Sequence, residues 1–368
     1  MKAIISGGGT GGHIFPAISI ANCLKKKYPQ AEILFVGAKG RMEMDKVPQA
    51  GYKIIGLPVA GFQRKKLWKN FSFPFKLICS MVKAGKIIKD FNPDVVIGVG
   101  GYASGPTLKA AVSKGIPTLI QEQNSFPGVT NKMLASGVNR ICVAYDNMSR
   151  WFPENKIVFT GNPIRQSISR LESFSEQEKE KGLSTFGMNA DKCTVLVIGG
   201  SLGALTINES IIQNLDYFIQ NDIQLIWQTG KSFHQRAKTE TERLNTPLIK
   251  VYDFIYEMEQ AYSLADIIIS RAGAIAISEL CIVGKPCILI PSPNVAEDHQ
   301  TKNANSLAEK HAALMVRDID SREHLIERLD TLVKNIGLRD ELSKNIKALG
   351  IRNADERIVE EIEKIIRK

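Results

Sequence analysis

The sequence has little with which to build a metal centre or a disulfide framework. Its 368 residues hold six cysteines, scattered singly with no C-x-x-C pair, and only five histidines. Neither a zinc site nor a cross-linked secreted scaffold follows from that pattern, and free thiols suit a reducing compartment. Long apolar runs are also missing. None approaches the roughly 18 residues of a spanning helix, and the apolar opening is too short for a signal peptide before it meets glycine. The expectation is a soluble, intracellular chain. Low-complexity segments are absent too. One local absence stands out: no acidic residue occurs from Lys46 to Lys89. With a formal net charge of +10, this points to a negatively charged partner. Nucleic acid, anionic lipid and phosphorylated metabolites all qualify.

What the sequence does have is alternation. Short apolar runs, "AEILFVG", "DVVIGVG", "PTLIQEQ", "RICVAY" and "KIVFTGN", are separated by helical segments. A second series follows with "TVLVIGG", "IQLIWQTG", "LIKVYDF", "ADIIISR" and "PCILIPS". Such alternation predicts parallel sheets covered by helices. The openings of the two series share a plan of apolar strand, glycine cluster and helix: "KAIISGGGTGGHIFPAISIAN" and "TVLVIGGSLGALTINESI". The expected architecture is α/β, with two Rossmann-like doubly wound domains and an interdomain cleft. The border is expected near "TGNPIRQS", giving domains 1–163 and 164–350, with a final helix at about 351–368. In the first half, Pro16 suits a first helical turn.

Glycine clusters after strands let backbone amides approach an anion. Residues Gly7, Gly9 and Gly12 fit the dinucleotide pattern G-x-G-x-x-G. That reading also needs an acid at the end of the second strand to hold a ribose, where this chain has Gly37, Ala38 and Lys39. Gly199, Ser201 and Gly203 spell the G-x-S-x-G of a hydrolase nucleophile elbow, with His299 or His311 as base and Asp266 or Asp298 as third member. Ser201, however, follows the first strand of its half, not a central one. "QTGKS" at 228–232 is P-loop-like, but Leu225 stands where its first glycine belongs. A third cluster, "IGVGGYASGP" at 97–106, also follows a strand. One such cluster is accounted for by tight turns alone; three after strands indicate a phosphate-ligand cleft.

Six segments in order, "GGGTGGHIFPA", "GVGGYASGP", "EQNSFPGVTNK", "TGNPIR", "GGSLGA" and "SRAGAIAISEL", resemble the MurG family of bacterial glycosyltransferases. The resemblance runs from residue 7 to about residue 305. It implies the GT-B fold, with a last helix that crosses back onto the first domain. It also implies transfer of N-acetylglucosamine to lipid I, making lipid II for peptidoglycan. The donor implied is UDP-N-acetylglucosamine, bound mainly by the second half, and no cofactor is implied. Ser201 and neighbouring amides would hold the diphosphate, with Arg165 adding a charged contact. Glu279 would take both ribose hydroxyls, and Ile255 would pair the uracil through its backbone. Ala274, Ile275, Ala276, Ile277, Ser278 and Glu279 read as a loop entering a helix, whose first amides would face the phosphates. Gln300 and Asn124 would read sugar hydroxyls, and Thr10, Gly11 and Gly12 would line the sugar side.

The chemistry implied is an inverting displacement at the anomeric carbon by the acceptor's 4-hydroxyl. It needs a base, and His13 is the expected one. Many relatives carry a histidine before the "EQN" triplet, but this chain has Gln121, which cannot serve as a base. Glu122 is the other ionisable group nearby, with a structural role expected. Helix starts and Arg165 would stabilise the leaving group without a metal. The only D-x-D, Asp318 to Asp320, reads as a helix start in which Asp320 and Glu323 approximate a capping box. No metal site is expected there.

Within the acid-free stretch, Phe62, Leu67, Trp68, Phe71, Phe73 and Phe75 intermingle with lysines. No nucleic-acid module accompanies them. Residues 62–89 are expected to dock on an anionic membrane surface, which places the protein peripherally at the cytoplasmic face of the membrane.

Overall fold

The computed structural model of the protein describes residues 1–59, 73–171, 173–200 and 202–367. The chain divides into two units, Met1–Gln166 with Asn353–Lys368, and Ser167–Arg352. The basic and aromatic residues Phe62, Arg64, Lys65, Lys66, Leu67, Trp68, Lys69 and Phe71 lie outside the described residues, as does Ser201.

The first unit is built on seven strands: β1 (Lys2–Ser6), β2 (Glu32–Ala38), β3 (Lys53–Leu57), β4 (Val95–Gly98), β5 (Thr118–Glu122), β6 (Arg140–Val143) and β7 (Ile157–Phe159). They pair in parallel in the order β3-β2-β1-β4-β5-β6-β7. Successive residues point to opposite faces, and both faces are covered. Ile4, Val96, Ile120 and Ile141 pack against Ala84, Ile88 and Leu108. Ile5, Phe35, Ile97 and Leu119 pack against Ile14, Ile20, Leu24 and the C-terminal Ile358 and Ile362. Strands buried on both sides read as continuous apolar runs, which is why β1 and β4 were legible. Each fully buried isoleucine here contributes about 1.5–3 kcal/mol.

The last helix, Ala354–Ile366, belongs to this first unit. It lies on helix Gly11–Lys27, where Glu363 accepts from Tyr28 at 2.7 Å and pairs with Lys27 at 2.5 Å. Its buried Glu361 pairs with Arg140 at 2.9 Å.

The second unit has six strands: β8 (Thr194–Ile198), β9 (Gln224–Gln228), β10 (Ile249–Tyr252), β11 (Ile267–Ser270), β12 (Cys287–Leu289) and β13 (Leu314–Met315). Their order, β10-β9-β8-β11-β12-β13, repeats the doubly wound plan of the first unit. One face is closed by Val195, Val197, Leu225, Trp227, Ile267 and Ile269. Trp227 is wholly buried, and its indole N–H finds Asn208 at 3.0 Å.

Several local expectations need correction. Helix Gly11–Lys27 begins five residues before Pro16, so the proline sits in the second turn, not the first. It removes the N–H that would have bonded the Gly12 carbonyl. Ala274 to Glu279 are all helical, and the loop is Arg271–Gly273 before them. Asp320 starts helix Ser321–Lys334 but makes no side-chain cap, because Arg317 Nε takes its carboxylate at 2.5 Å. The capping box lies elsewhere: Ser175 Oγ accepts from the Glu178 amide at 3.2 Å, and Glu178 accepts from the Ser175 amide at 2.8 Å. Edge strands β3 and β13 were not anticipated. The first lies in the acid-free stretch, with Lys53 and Gly56 flanking its two isoleucines, and the second has two residues.

Candidate active site

In a doubly wound sheet the strand order reverses once, and loops at the carboxyl ends of the two strands flanking that point diverge to leave a crevice. In the first unit these strands are β1 and β4. Residues 7–10 follow β1, and residues 99–103 follow β4. The two turns touch at their backbones: a Cβ on Gly101 would lie 2.2 Å from the Gly8 carbonyl, and one on Gly7 would lie 2.2 Å from Val99. Only glycine permits that approach.

His13 stands in the first turn of helix Gly11–Lys27, half-buried. Its Nδ1 lies 3.0 Å from the Gly8 carbonyl and 3.4 Å from Thr10 Oγ1. A carbonyl only accepts, so Nδ1 carries the proton and Nε2 carries the lone pair in the neutral ring. Nε2 rests on Gly100, where a Cβ would stand 2.8 Å from it. Thr10 and Gly12 are exposed and Gly11 is half-exposed.

Beneath the same turn is a residue absent from every motif. Glu43 is 1% exposed, and its carboxylate accepts from the Gly9 amide at 2.8 Å and the Ala38 amide at 3.0 Å. The second strand therefore does end beside an acid, supplied from five residues downstream. Its oxygens are turned to backbone amides, and the dehydrogenase reading gains nothing from it.

Beyond β5, Glu122 is fully buried and takes four donors: Asn124 N at 3.0 Å, Asn124 Nδ2 at 3.3 Å, Gly128 N at 3.1 Å and Asn131 Nδ2 at 2.7 Å. Burial pushes its carboxyl above the ordinary range, and the four bonds partly resist that. It organises the 124–131 loop and orients Asn124. Gln121 is buried, donating to Asn162 at 2.8 Å and bonded to Gln123. Arg165 is exposed and belongs by its contacts to the first unit, not to the half that begins at 164.

In the second unit the order reverses between β8 and β11. Gly200, Gly203 and Gly230 all adopt left-handed backbone, at φ 81°, 79° and 78°. A Cβ on Gly203 would meet the Thr229 carbonyl at 2.1 Å. "QTGKS" is thus no P-loop but the buttress against which the "GGSLGA" turn closes. Gln228 ties this edge together: Nε2 donates to the Gly200 carbonyl at 3.1 Å, and Oε1 accepts from Ile255 N at 3.0 Å. The Ile255 amide is engaged there, so a base pairing with this residue would use its carbonyl.

Helix Ala274–Val283 follows β11, capped by a glycine without a side chain. The amides of Ala274, Ile275 and Ala276 have no partner within the helix, the arrangement that attracts an anion. Ile277 is core, and Ser278 Oγ donates back to the Ala274 carbonyl at 2.9 Å. Glu279 is 4% exposed and accepts from the Tyr262 hydroxyl at 3.4 Å. Gln300 uses Oε1 to accept from Ser292 N at 2.9 Å, which turns its NH2 group to the other side. It follows Glu297 and Asp298, two consecutive non-glycine residues in left-handed conformation. Asp318 is paired with Arg271 and accepts from Thr206 at 2.9 Å.

As the third member of a hydrolase triad, Asp266 is misplaced. Asp266 bonds the Thr194 amide at 2.8 Å, at the amino end of β8. The five residues of β8 separate it by about 15 Å from Gly199 and Gly200, which follow the strand. Burial pushes the Cys23 and Cys281 thiols up to about 12, and those of Cys142 and Cys287 further still, so these four are protonated at neutral pH. No cluster of three or more His, Cys, Asp or Glu that could hold a metal occurs among the described residues.

Sequence reasoning missed Glu43, Gln228 and Tyr262. Gln228 alone carried a signal, standing one strand-end before a glycine turn. Glu43 and Tyr262 act on partners 34 and 17 residues away, which no local pattern marks.

Comparison with known proteins identifies the family and the fold. The N-terminal domain of glycosyltransferase family 28 matches residues 3–143, and its C-terminal domain matches residues 194–358. A relative from Parabacteroides distasonis, named UDP-N-acetylglucosamine–N-acetylmuramyl-(pentapeptide) pyrophosphoryl-undecaprenol N-acetylglucosamine transferase, is 54% identical, covering 100% of this chain and 99% of its own. A relative of the same name from Cytophaga hutchinsonii is also 54% identical, covering 99% and 97%. The crystal structure of Acinetobacter baumannii MurG superposes with a TM-score of 0.80 at 28% identity, covering 99% of both chains. The Staphylococcus aureus MnaA–UDP co-structure, at 15% identity and a TM-score of 0.68, shares the fold. The fold is α/β, of the GT-B class with two Rossmann-like units. The chain belongs to the MurG family, the UDP-N-acetylglucosamine–N-acetylmuramyl-(pentapeptide) pyrophosphoryl-undecaprenol N-acetylglucosamine transferases within glycosyltransferase family 28.

Proposed function

We propose that this chain is an inverting N-acetylglucosaminyltransferase. It moves N-acetylglucosamine from UDP-N-acetylglucosamine to the 4-hydroxyl of the N-acetylmuramyl group of lipid I, forming lipid II for peptidoglycan. Full-length identity of 54% to enzymes of that name carries the reading. The charge around the two glycine turns supports the division of labour. In the first unit a buried carboxylate already takes the Gly9 amide of the turn, whereas in the second unit, among the described residues, no carboxylate is bonded to the glycine turn or to the uncapped helix start. A diphosphate belongs at the second.

The roles follow. Ser201, the first amides of helix Ala274–Val283 and Arg165 hold the diphosphate and stabilise its charge as it leaves. Glu279 takes the ribose hydroxyls, the Ile255 carbonyl accepts from the uracil, and Gln300 and Asn124 read the sugar, with Thr10, Gly11 and Gly12 along the acceptor side. The 4-hydroxyl oxygen bonds to the anomeric carbon as the bond from that carbon to the phosphate oxygen breaks. The hydroxyl proton passes to His13 Nε2, and UDP departs with the electron pair. Turnover of UDP-N-acetylglucosamine with a soluble lipid I analogue is the test; donor binding without turnover would reduce the chain to a binding protein.

The acceptor is lipid-anchored, and the protein attaches peripherally at the cytoplasmic face of the membrane. No helix among the described residues is long and apolar enough to cross one. Helix Phe73–Phe91 buries Ala84, Ile87 and Ile88 but leaves Phe75, Ile78 and Val82 at 75%, 61% and 70% exposure, beside exposed Lys76 and Lys86. Such a face suits an anionic lipid surface. Replacing the three apolar residues by serine should abolish co-sedimentation with anionic vesicles; undiminished binding would move the docking surface elsewhere.

A further inference from the structure

The carbonyl that holds His13 and the amide that holds Glu43 belong to one peptide group, the bond between Gly8 and Gly9. Glu43 Oε2 accepts from Gly9 N at 2.8 Å, and on the other side of the same planar unit the Gly8 oxygen faces His13 Nδ1 at 3.0 Å. The run is carboxylate, peptide N–H, peptide C=O, imidazole N–H. A carboxylate pulling on the N–H end of a peptide concentrates charge on its oxygen, which strengthens the bond that oxygen accepts.

The glycines around the turn make room for this chain of bonds. A Cβ on Gly8 would lie 2.2 Å from the Glu43 carboxylate carbon, and one on Gly37 would lie 2.6 Å from Glu43 Cγ. A Cβ on Gly100 would lie 2.8 Å from His13 Nε2. Three separate glycines, two in loops and one near the end of β2, leave the space that the carboxylate and the imidazole fill.

We propose that Glu43 is a positioning residue for the transfer reaction, acting through the Gly8–Gly9 peptide to hold His13 in the Nδ1–H form with Nε2 as its basic nitrogen. The role is that of the carboxylate behind a catalytic histidine, with one peptide group interposed. It rests on His13 as the base. Arg41 and Tyr102 are further titratable groups at the turn among the described residues. They stack at 5.9 Å, and the Tyr102 ring lies 4.0 Å from the Cβ position of Gly9.

The test reads His13 directly, by nitrogen-15 NMR of its imidazole in the full-length protein, assigned with His13→Gln. The parent should show the Nδ1–H form of the neutral ring. Glu43→Gln should let the Nε2–H form appear and lower the His13 titration midpoint by about half a unit to one unit, since a nearby negative charge is lost. The acid limb of the kcat–pH profile should move with it. KM for UDP-N-acetylglucosamine should stay within about twofold, and Glu43→Asp should fall between the two. An Nε2–H ring in the parent overturns the proposal with no variant needed, even if Glu43→Gln fails to fold. An unmoved titration in folded Glu43→Gln overturns it too. Loss of turnover in His13→Ala beside that unmoved titration leaves the base reading standing. Undiminished turnover in His13→Ala removes the base reading and, with it, this role for Glu43.

Discussion

The turn after β1 and the turn after β8 share a plan of buried strand, glycine run and helix, yet they satisfy their backbones in opposite ways. The first is held by a carboxylate, Glu43, bonded to the Gly9 and Ala38 amides. The second is held by a neutral carboxamide, Gln228, which donates to the Gly200 carbonyl. Glu43 takes one amide of its turn, that of Gly9, and its charge opposes a second anion there, whereas a donor on a carbonyl leaves amides available. On the proposed assignment the same motif becomes a seat for a histidine in one unit and a seat for phosphate in the other. A glycine-rich pattern identifies a tight turn with exposed amides; the side chains folded beneath it decide the guest.

The largest effects come from filling the glycine contacts. Gly101→Ala and Gly203→Ala each place a methyl within about 2.2 Å of a carbonyl oxygen, on left-handed backbone at φ 86° and 79°. Each should cost roughly 2–4 kcal/mol of stability. Gly40→Ala, also left-handed but with nothing within 4 Å, should cost only about 1–2 kcal/mol. Gly203→Ala should weaken UDP binding, and Gly101→Ala should lower turnover with UDP affinity kept. Calorimetry with UDP on both variants decides; equal losses of affinity would erase the distinction between the turns.

Glu279→Ala tests the second unit alone. Loss of a charged partner for the ribose should weaken UDP binding by roughly 1.5–3 kcal/mol. Unchanged affinity in a folded variant would take Glu279 out of the site.

A smaller effect is expected for Gln228→Ala, which removes one neutral link between the glycine turn and Ile255. About 1 kcal/mol of UDP affinity should go, near fivefold. If no change is found, the carboxamide contributes nothing to the donor grip.

The smallest effect concerns the helix that returns to the first unit. Burial alone would raise the Glu363 carboxyl, but bonds from Lys27 and Tyr28 outweigh it and hold it below the ordinary 4.5. Its contribution is therefore complete above pH 4.5 and fades as pH falls through that lowered value. The bond to Glu363 raises Lys27 above its ordinary 10.5, so its share is lost only at still higher pH. Hydrogen exchange along Ala354–Ile366 should quicken in acid before that along Ser321–Lys334. Lys27→Met should flatten the difference at a cost below about 1 kcal/mol, as for exposed pairs. An acid dependence unchanged by Lys27→Met would assign it to another group.

Much of the fold was legible because it follows from local repetition. Central strands buried on both faces must be runs of Ile, Val and Leu, and glycine must stand wherever two backbones meet after such a strand. Strand β13 escaped because two residues are too few to show a pattern, and β3 because its short apolar pair lies in a stretch marked by basic charge; the edge strands β7 and β10 were legible. Asp320 looked like a helix cap, and only the neighbouring Arg317 diverts it.

The amino-acid sequence by itself determined two α/β units, the places of their glycine turns, the family, and the candidate residues within each motif. Those properties depend on residues close along the chain, where spacing maps directly onto strand and helix geometry. Tertiary structure alone decided what each residue faces: that Glu43 reaches the Gly9 amide from 34 positions away, that Gln228 bridges Gly200 and Ile255, and that Asp266 bonds the amino end of β8. Hydrogen bonds hold only within about 3 Å, and no pattern along the chain encodes a distance that the packing of the sheet sets.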